Sequence, residues 1–387
     1  MASDFSVGVI LPASGTGERM GLSPPKQFSE MFGKPIFFYS IYCFHRFDWV
    51  KTIMLTVSKD YIDGVRKLVA DYNLNKVTVI EGGMTRHRSI FKGIQAFSAR
   101  SPPDVLIIHD AVRLFVTNEL ARNVVLSAKK HGAAGVMRPL VSTVIAIESN
   151  FLEESLDRNR YWASEMPQAF QFDVIKRAYE QSTDYDFDYG TECLLLATKY
   201  TGVKAHILEG SDDLWKVTYI KDLYAAEGML KAHYIQVQLF GTESSHLLVL
   251  HLEKHLKSRR IQVSSATGNN VVTPSGNTFV FLHRKISKDI GQQTDMVVKS
   301  LKCKNHIPVL NCVVIHVFTG VDKSTCDVSK LNTYLSGLSN TYQQQNVSIY
   351  SLLAYKDSRL DEISPLVTEL IWERKSVFSG QLYIVGS

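Results

Sequence analysis

The chain has 387 residues, of which 45% are hydrophobic and 21% charged, so it can bury sizeable cores and predicts a soluble protein of two domains. Its net charge of +5 is mild and its basic residues are interspersed with acidic ones, which argues against nucleic-acid binding but is compatible with phosphorylated small molecules. The five cysteines are odd in number and form no CxxC pair, which argues against a disulfide framework or a zinc site and favours the reducing cytosol.

No targeting or membrane-spanning segment is expected. The first residues, MASDFSVGVILPASG, have no basic region before a short apolar run that ends in a glycine turn, so they predict a first strand and not a signal peptide. No stretch approaches the roughly eighteen apolar residues that a membrane-spanning helix needs. We therefore expect no membrane association.

Short apolar runs alternate with amphipathic segments in the first part of the chain, a pattern typical of a mostly parallel sheet covered by helices. The predicted strands are residues 6–12, 52–57, 76–81, 105–109 and 135–140. The predicted helices between them include residues 36–47, 61–72 and 89–97. We expect this α/β fold to form a first domain over residues 1–232, with a Rossmann-like, mostly parallel sheet.

A second region follows a polar helix and has strand candidates of its own, IQVQLF, NTFVFLHR, VLNCVVIHVF and VSIYSLLAY. They predict a smaller Rossmann-like α/β domain over residues 233–387, which lacks GxGxxG and any other phosphate-binding motif. His246, His251 and His255 fall at helical spacings, but no cysteine or carboxylate completes a metal-ligand set. Stability, dimer support or partner binding are the better explanations of this domain.

The loop after the first strand, in VGVILPASGTGERMGLSPPKQF, is suited to a polyphosphate. Ligands of open α/β sheets bind at the carboxyl ends of strands. Gly15 and Gly17 let the backbone approach phosphate oxygens, and Arg19 and Lys26 add positive charge that neutral amides lack. The spacing is that of neither a P-loop nor a dinucleotide fingerprint, because Met20 stands where a third glycine would be. A glycine turn after a strand is also common without such a function.

Other strand ends carry further candidates. In VLIIHDAVRLF, Asp110 follows an apolar strand at a point expected to open into solvent, as a magnesium carboxylate would, although an N-cap or turn aspartate is the alternative. In GSDDLWKVT, Lys216 follows an acidic pair, and a lone lysine of this kind is more often at the surface than in a site.

The segment EGGMTRHRSIF predicts a turn at Gly82 and Gly83 followed by the start of a helix with an apolar face. A helix start can recognise a base or a phosphate through backbone and side-chain hydrogen bonds. The alternative for His87 and Arg88 is that their side chains are simply solvated.

These segments belong to an ordered set between about residues 7 and 230: LPASGTGERM, PPKQF, GGMTRHRS, HDAVR, RPLVSTV, LDRNRYWASEMPQ, TECLLL and LWKVT. In this order they resemble the family of CTP-dependent sugar-alcohol-phosphate cytidylyltransferases, which includes the bacterial 2-C-methylerythritol 4-phosphate enzyme and the ribitol 5-phosphate enzymes. RHRSIF, HGAAGVMRPLVSTV and the additional C-terminal region resemble the animal branch of the family. The match implies a nucleotidyltransferase fold for the first domain.

The resemblance also implies roles for the matching residues. Arg19, Lys26 and Lys216 would hold the CTP phosphates and stabilise the transition state. The nucleotide would be bound by Pro12, Ala13, Ser14, Gly15, Gly17, Gly82, Gly83, Arg86, Ser89 and Asp110. The acceptor would be bound by Arg113, Thr143 and Arg158, and Mg²⁺ by Asp110 and Asp213. Thr143 and Arg158 lie in an arm near residues 139–170 that in the family crosses into the partner subunit, so a homodimer is implied.

The implied reaction is the magnesium-dependent transfer of CMP from CTP to D-ribitol 5-phosphate, with CDP-ribitol and pyrophosphate as products. In this branch of the family CDP-ribitol feeds the ribitol-phosphate modification of O-mannosyl glycans of the dystroglycan type. One alternative is the same chemistry on 2-C-methylerythritol, ribulose or ribose phosphate. The other is a noncatalytic scaffold, against which the set of charges at the strand ends speaks.

Two positions depart from the family pattern. Leu114 stands where the family usually has proline, which predicts a slightly looser loop after HDAVR without any loss of charge. Met166 stands where the bacterial methylerythritol enzymes commonly have threonine, so a thioether replaces a hydroxyl near the acceptor. This second change favours a different polyol.

Overall fold

The computed structural model describes residues 5–15, 21, 24–241, 245–267, 276–286, 289–303, 309–355 and 358–386. The chain divides into two compact units, Met1–Tyr224 and Ala225–Ser387. The division falls inside the helix Ile220–Tyr234, and the boundary expected from the sequence, 232/233, lies further along the same helix. No helix in the described residues is both long and apolar enough to cross a bilayer.

The first unit has a seven-stranded sheet covered by helices and, in the described residues, two further sheets of two strands each. Its strands are β1 (Val7–Pro12), β2 (Glu30–Met31), β3 (Lys34–Pro35), β4 (Val50–Val57), β5 (Val77–Glu81), β6 (Val105–Ile108), β7 (Ala133–Pro139), β8 (Ile145–Glu148), β9 (Phe151–Ser155), β10 (Trp162–Gln171) and β11 (His206–Glu209). Its helices are α1 (Ile36–His45), α2 (Ile62–Asp71), α3 (Arg86–Arg100), α4 (Asn118–His131), α5 (Phe172–Gln181), α6 (Asp184–Tyr189) and α7 (Cys193–Thr201), and α8 (Ile220–Tyr234) follows.

The order of strands in the main sheet is β11-β7-β10-β6-β1-β4-β5, and β10 alone runs antiparallel to the strands paired with it in the described residues. This confirms the mostly parallel α/β fold. The five predicted strands end within two residues of β1, β4, β5, β6 and β7. They were recognisable because strands buried on both faces read as continuous apolar runs.

Two local differences from the expected elements have a physical cause. Helix α3 begins three residues earlier than predicted, because the Thr85 side chain caps it by accepting a hydrogen bond from the backbone of Arg88. Strand β10 was not predicted, because its sequence WASEMPQAFQ contains a glutamate, a proline and two glutamines, although its central residues are buried.

The second unit is a six-stranded sheet in which all described strand pairs are parallel. Its strands are β12 (Gln236–Gly241), β13 (Gln262–Thr267), β14 (Thr278–His283), β15 (Cys312–Val321), β16 (Val347–Tyr355) and β17 (Leu382–Val385), and its helices are α9 (His246–Ser258), α10 (Ile290–Cys303), α11 (Val328–Gln343) and α12 (Leu360–Glu373). This parallel sheet with its helices confirms a second, smaller α/β domain, in which the strand order is β13-β12-β14-β15-β16-β17.

Candidate active site

Asp110, which closely follows β6, is contacted by three cationic side chains. Its Oδ1 lies 2.8 Å from Nε of Arg86, and its Oδ2 lies 3.2 Å from Nε of Arg113 and 3.1 Å from Nζ of Lys216. The carboxylate is 5% exposed, so the expectation that it opens into solvent was wrong. Burial opposes its ionisation, but the three cations outweigh that effect and hold the pKa of Asp110 well below its usual value. We call these four residues the Asp110 cluster.

Asp110 can offer few oxygen lone pairs to Mg²⁺, because its carboxylate already contacts three cations. A carboxylate offers about four lone-pair positions, and in the described residues three of them face the cations, which leaves one position on Oδ1. Asp213 lies in the turn Asp212–Leu214 that precedes Lys216. In the part of the chain that the structure describes, no group of three or more His, Cys, Asp or Glu side chains is arranged for a metal. Because Mg²⁺ is commonly bound by one or two carboxylates plus substrate phosphates, a site here would need the nucleotide.

Lys26 and Lys216 meet at the same loop, residues 210–217, which we call the Lys216 loop. Lys26 begins the turn Lys26–Phe28 and is nearly buried, and its Nζ donates a hydrogen bond to the backbone oxygen of Val217 at 2.8 Å. The N–H of Val217 in turn donates to the oxygen of Val112 at 3.0 Å, which fixes the end of the loop beside the Asp110 cluster. Gly17 and Arg19, which were also predicted for this site, lie outside the described residues.

Several residues predicted to bind the nucleotide come from two loops that contact each other. Oγ of Ser14, after β1, lies 2.5 Å from Oγ of Ser89, in the first turn of α3, and the N–H of Gly83 donates to Ser89 at 3.1 Å. Gly82 has no room for a side chain, because an added Cβ would stand 2.5 Å from Oγ of Ser14. The structure thus brings Ser14, Gly82, Gly83 and Ser89 together, and their contact with a nucleotide stays a prediction.

Gln27 shapes the same region and was not singled out from the sequence. Its Nε2 donates to the backbone oxygen of Ala13 at 2.8 Å and to that of Gly15 at 2.7 Å, and the N–H of Ala13 donates to Thr56 of β4 at 2.8 Å. These bonds hold the turn that follows Pro12 at the end of β1. The signal was present in PPKQF, where a polar residue lies between Lys26 and an aromatic residue.

The first turn of α3 carries both buried and exposed basic residues. His87 is fully buried, with Nδ1 2.7 Å from the hydroxyl of Tyr179, so a solvated side chain is excluded. Burial, helped by the charge of Arg86, lowers the pKa of His87 to about 4. Arg88 is half-exposed and pairs with Asp184 and Asp188 of α6. Of these residues, Arg86 is the one that belongs to the Asp110 cluster.

A second carboxylate, Glu165 of β10, lies behind the cluster and was missed by the sequence analysis. Its Oε1 accepts hydrogen bonds from Nε and Nη2 of Arg138 at 2.9 and 2.6 Å, and its Oε2 accepts one from Nη1 of Arg113. Nη1 of Arg113 also donates to the backbone oxygen of Leu214 in the Lys216 loop. Arg113 is therefore engaged within the chain, and its predicted contact with the acceptor stays a prediction.

The family is decided by a match over the whole first unit. Residues 7–232 match the family described as IspD, 2-C-methyl-D-erythritol 4-phosphate cytidylyltransferase. The chain belongs to this family. It is therefore an enzyme of the nucleotidyltransferase class and, within it, a cytidylyltransferase.

Relatives of the cytidylyltransferase family fall into two groups that cover different lengths of the chain. The D-ribitol-5-phosphate cytidylyltransferase of Xenopus tropicalis is 40% identical over 97% of this chain and 97% of its own length, and the human protein of that name is 38% identical over 98% and 90%. The 2-C-methyl-D-erythritol 4-phosphate cytidylyltransferase of Halalkalibacterium halodurans is 31% identical over 57% of this chain and 96% of its own. The similarity to the ribitol-phosphate enzymes thus extends over the C-terminal unit of this chain.

The fold of the first unit also recurs among solved cytidylyltransferases. The crystal structure of 4-diphosphocytidyl-2C-methyl-D-erythritol synthase from Anaerococcus prevotii is similar with a TM-score of 0.50 and 22% identity. The matched region covers 58% of this chain and 98% of the chain in that crystal structure. This likeness supports the Rossmann-like nucleotidyltransferase fold.

The two departures from the cytidylyltransferase family pattern are both buried. Leu114 is 1% exposed, and its loop is tied to α1, because Ser40 donates to the backbone oxygens of Ala111 and Arg113 at 2.9 Å and Cys43 to that of Leu114 at 3.1 Å. These contacts hold the loop, and its loosening relative to a loop with proline stays a prediction. Sδ of Met166 lies 4.0 Å from Nη2 of Arg86, so the thioether borders the Asp110 cluster.

The predicted cytidylyltransferase arm contains a two-stranded hairpin, β8 and β9, that presents apolar side chains to solvent. Phe151 is 78% exposed, and several neighbours are also exposed: Val141, Ile145, Ile147, Leu152, Tyr161 and Trp162. Thr143 and Arg158 are exposed as well, and Nη1 of Arg158 lies 3.4 Å from the backbone oxygen of Val141. Their contact with an acceptor stays a prediction.

Proposed function

We propose that the chain transfers CMP from CTP to D-ribitol 5-phosphate and releases pyrophosphate. The observation that carries the choice of acceptor is the extent of similarity: relatives named for ribitol phosphate match both units, whereas those named for methylerythritol phosphate match the first. The thioether of Met166 beside Arg86 also supports an acceptor other than methylerythritol phosphate.

The charges of the site suit this reaction. An oxygen of the acceptor phosphate attacks the α-phosphorus of CTP, the bond to the β-phosphate breaks, and pyrophosphate leaves with the electron pair. The nucleophile is already an anion at neutral pH and needs no general base. The catalytic requirement is therefore preorganised positive charge, which Arg86, Lys26 and Lys216 can supply and which favours the transition state electrostatically.

Arg19 is proposed as a further phosphate-binding cation, and Mg²⁺ as a cofactor held by Asp110 and Asp213 together with the CTP phosphates. When bound, Mg²⁺ would neutralise charge on the phosphate oxygens. Asp110 supports this proposal because nearby cations hold its pKa well below the usual value, so the carboxylate is ionised.

We also propose a homodimer in the cytosol, in which the arm of one subunit brings Thr143 and Arg158 to the acceptor phosphate of the other. Phe151 and Leu152, 78% and 67% exposed, support this assembly, because an isolated two-stranded hairpin with an apolar surface is rarely left uncovered. The product, CDP-ribitol, would then serve ribitol-phosphate modification of O-mannosyl glycans.

The test is an acceptor panel. Purified full-length protein is incubated with CTP, Mg²⁺ and one of ribitol 5-phosphate, ribulose 5-phosphate, ribose 5-phosphate or 2-C-methylerythritol 4-phosphate, and pyrophosphate release is measured. Omission of Mg²⁺ in the presence of a chelator tests the metal. We expect the fastest release with ribitol 5-phosphate and a strong dependence on Mg²⁺.

The possible outcomes test the identity of the acceptor separately from the cytidylyltransfer chemistry. Faster release with another polyol phosphate would overturn the acceptor and keep the chemistry. No release with any acceptor, in a protein that still binds CTP, would instead favour a noncatalytic scaffold.

A further inference from the structure

We propose that Glu165 is a positioning residue for cytidylyl transfer, which holds the Lys216 loop in place through Arg113 and Arg138. In the described structure it does not contact Lys216, and it acts through the two guanidinium groups. The proposal rests on the cytidylyltransferase activity and is independent of which acceptor is used.

The two arginines connect Glu165 to the middle of the Lys216 loop. Arg113 donates to the backbone oxygen of Leu214, and Nη1 of Arg138 lies 3.4 Å from the backbone oxygen of Asp212. Backbone bonds hold both ends of the loop, from Gly210 to Met137 at 2.9 Å and from Val217 to Val112 at 3.0 Å. The arginines therefore support the segment between those ends, where Lys216 leaves the chain toward Asp110.

The charges around Arg113 explain why the support of the Lys216 loop requires a carboxylate at Glu165. Arg113 and Lys216 both contact Oδ2 of Asp110, at 3.2 and 3.1 Å, so they compete for one oxygen. Glu165 engages the far side of the Arg113 guanidinium and limits this competition. If Glu165 were neutral, its hydrogen bond with Arg113 would lose charge assistance, and Arg113 would pair more closely with Asp110 at the expense of Lys216.

The position of Glu165 in the sheet also couples this network to the arm. Glu165 pairs with Val136 of β7, and Arg138 pairs with Ala163 of β10, so the ion pair joins the two strands where the arm leaves the sheet. Glu165 is 5% exposed, and a buried carboxylate held by two arginines fixes side-chain geometry more strictly than an exposed pair does. One residue thus links the base of the arm to the Lys216 loop.

The first test is Glu165→Gln, which keeps the size of the side chain and removes its charge. We expect kcat for pyrophosphate release to fall at least about tenfold, with the KM for CTP changed by less than about threefold, because misplaced catalytic groups mainly affect the transition state. We also expect faster backbone hydrogen exchange in residues 210–217. The acceptor is the one that wild-type protein uses fastest.

The matched control is Asp186→Asn. Asp186 is also a buried carboxylate held by several donors, Lys199, Tyr200 and Thr183, but it lies in α6 and contacts no part of the Lys216 loop in the described structure. It should lower thermal stability comparably while leaving kcat within about twofold and hydrogen exchange of residues 210–217 unchanged. A purely structural role of Glu165 would make the two variants behave alike, which would overturn the proposal.

A double-variant cycle asks whether Glu165 acts through Lys216. If Glu165 acts on catalysis by positioning Lys216, its effect requires the Lys216 side chain. Glu165→Gln should therefore change kcat by less than about twofold in a Lys216→Ala background. Multiplicative losses would overturn the proposal.

If Glu165→Gln fails to fold, Arg138→Gln takes its place, and unchanged kcat in that variant would count against the proposal. Hydrogen exchange of residues 210–217 needs no acceptor. It therefore tests whether Glu165 supports the Lys216 loop even if the acceptor panel refutes the proposed function.

Discussion

Nζ of Lys26 lies 2.8 Å from the backbone oxygen of Val217, a residue 191 positions further along the chain. This bond joins the loop after β1 to the residue that follows Lys216. Two cations that were predicted independently from separate motifs therefore share one structural support, and a change at Lys26 acts on both.

We expect Lys26→Met to lower kcat/KM at least about a hundredfold, which corresponds to about 2.7 kcal/mol or more of transition-state stabilisation. The side chain is nearly buried, so methionine replaces its alkyl chain but neither its charge nor its hydrogen bond. Pyrophosphate release is the measurement. Lys51→Met, at an exposed position of β4, is the control and should retain full activity.

Lys216→Ala and Arg19→Ala should each abolish most turnover and leave the fold intact. Lys216 contacts Asp110, and Arg19 is assigned by the resemblance alone. We expect losses of about a hundredfold or more, measured as pyrophosphate release, with an unchanged far-ultraviolet circular dichroism spectrum. Lys221→Ala, at an exposed position of α8, is the control. Full turnover in a folded Lys216→Ala variant would remove Lys216 from the catalytic set.

The sequence predicted the strands that are continuous apolar runs and the candidate residues that directly follow them. Asp110 was found in this way, whereas the role of Lys216 came from the family resemblance, and the structure joins the two at 3.1 Å. Glu165 and Arg138 were missed because their pairing depends on β10 lying antiparallel beside β7, which a single sequence does not reveal. His87 was misjudged for a similar reason, since its burial is created by Tyr179 on a distant helix.

Arg158→Lys tests the proposed acceptor site on the arm. Lysine keeps the charge but loses the planar fork that binds a phosphate through two parallel hydrogen bonds. We expect the KM for the acceptor to rise about tenfold, with the KM for CTP unchanged, in initial-rate measurements that vary each substrate. Arg160→Lys, two residues further along and also exposed, is the matched control. An unchanged acceptor KM would end the assignment of Arg158.

Phe151→Asp tests the proposed homodimer. Phe151 is 78% exposed in β9, and a charge in a buried apolar interface would oppose association. We expect the wild-type protein to be a dimer and the variant a monomer in size-exclusion chromatography with light scattering. Leu247→Asp is the control, because Leu247 is 67% exposed on α9 and lies outside the arm. A wild-type monomer, or a variant that remains dimeric, would contradict the role of the arm.

The buried imidazole of His109 predicts a loss of stability in mild acid. Burial lowers the pKa of His109 from 6.5 to about 4. Between these values the unfolded chain binds a proton that the folded chain excludes, so the stabilisation is fully present above about pH 6.5 and is lost as the pH falls toward 4. The expected slope from this one group is about 1.4 kcal/mol per pH unit.

His109→Gln should remove this contribution. Nε2 of His109 lies 3.0 Å from the backbone oxygen of Arg113, and the amide of glutamine can donate to the same oxygen without titrating. Urea unfolding at several pH values between 7 and 4.5, followed by tryptophan fluorescence, should give a shallower dependence of the unfolding free energy on pH than in wild-type protein. His251→Gln, on the exposed side of α9, controls for the loss of any histidine. An equal slope in His109→Gln and wild-type protein would show that His109 is not the group whose protonation destabilises the fold.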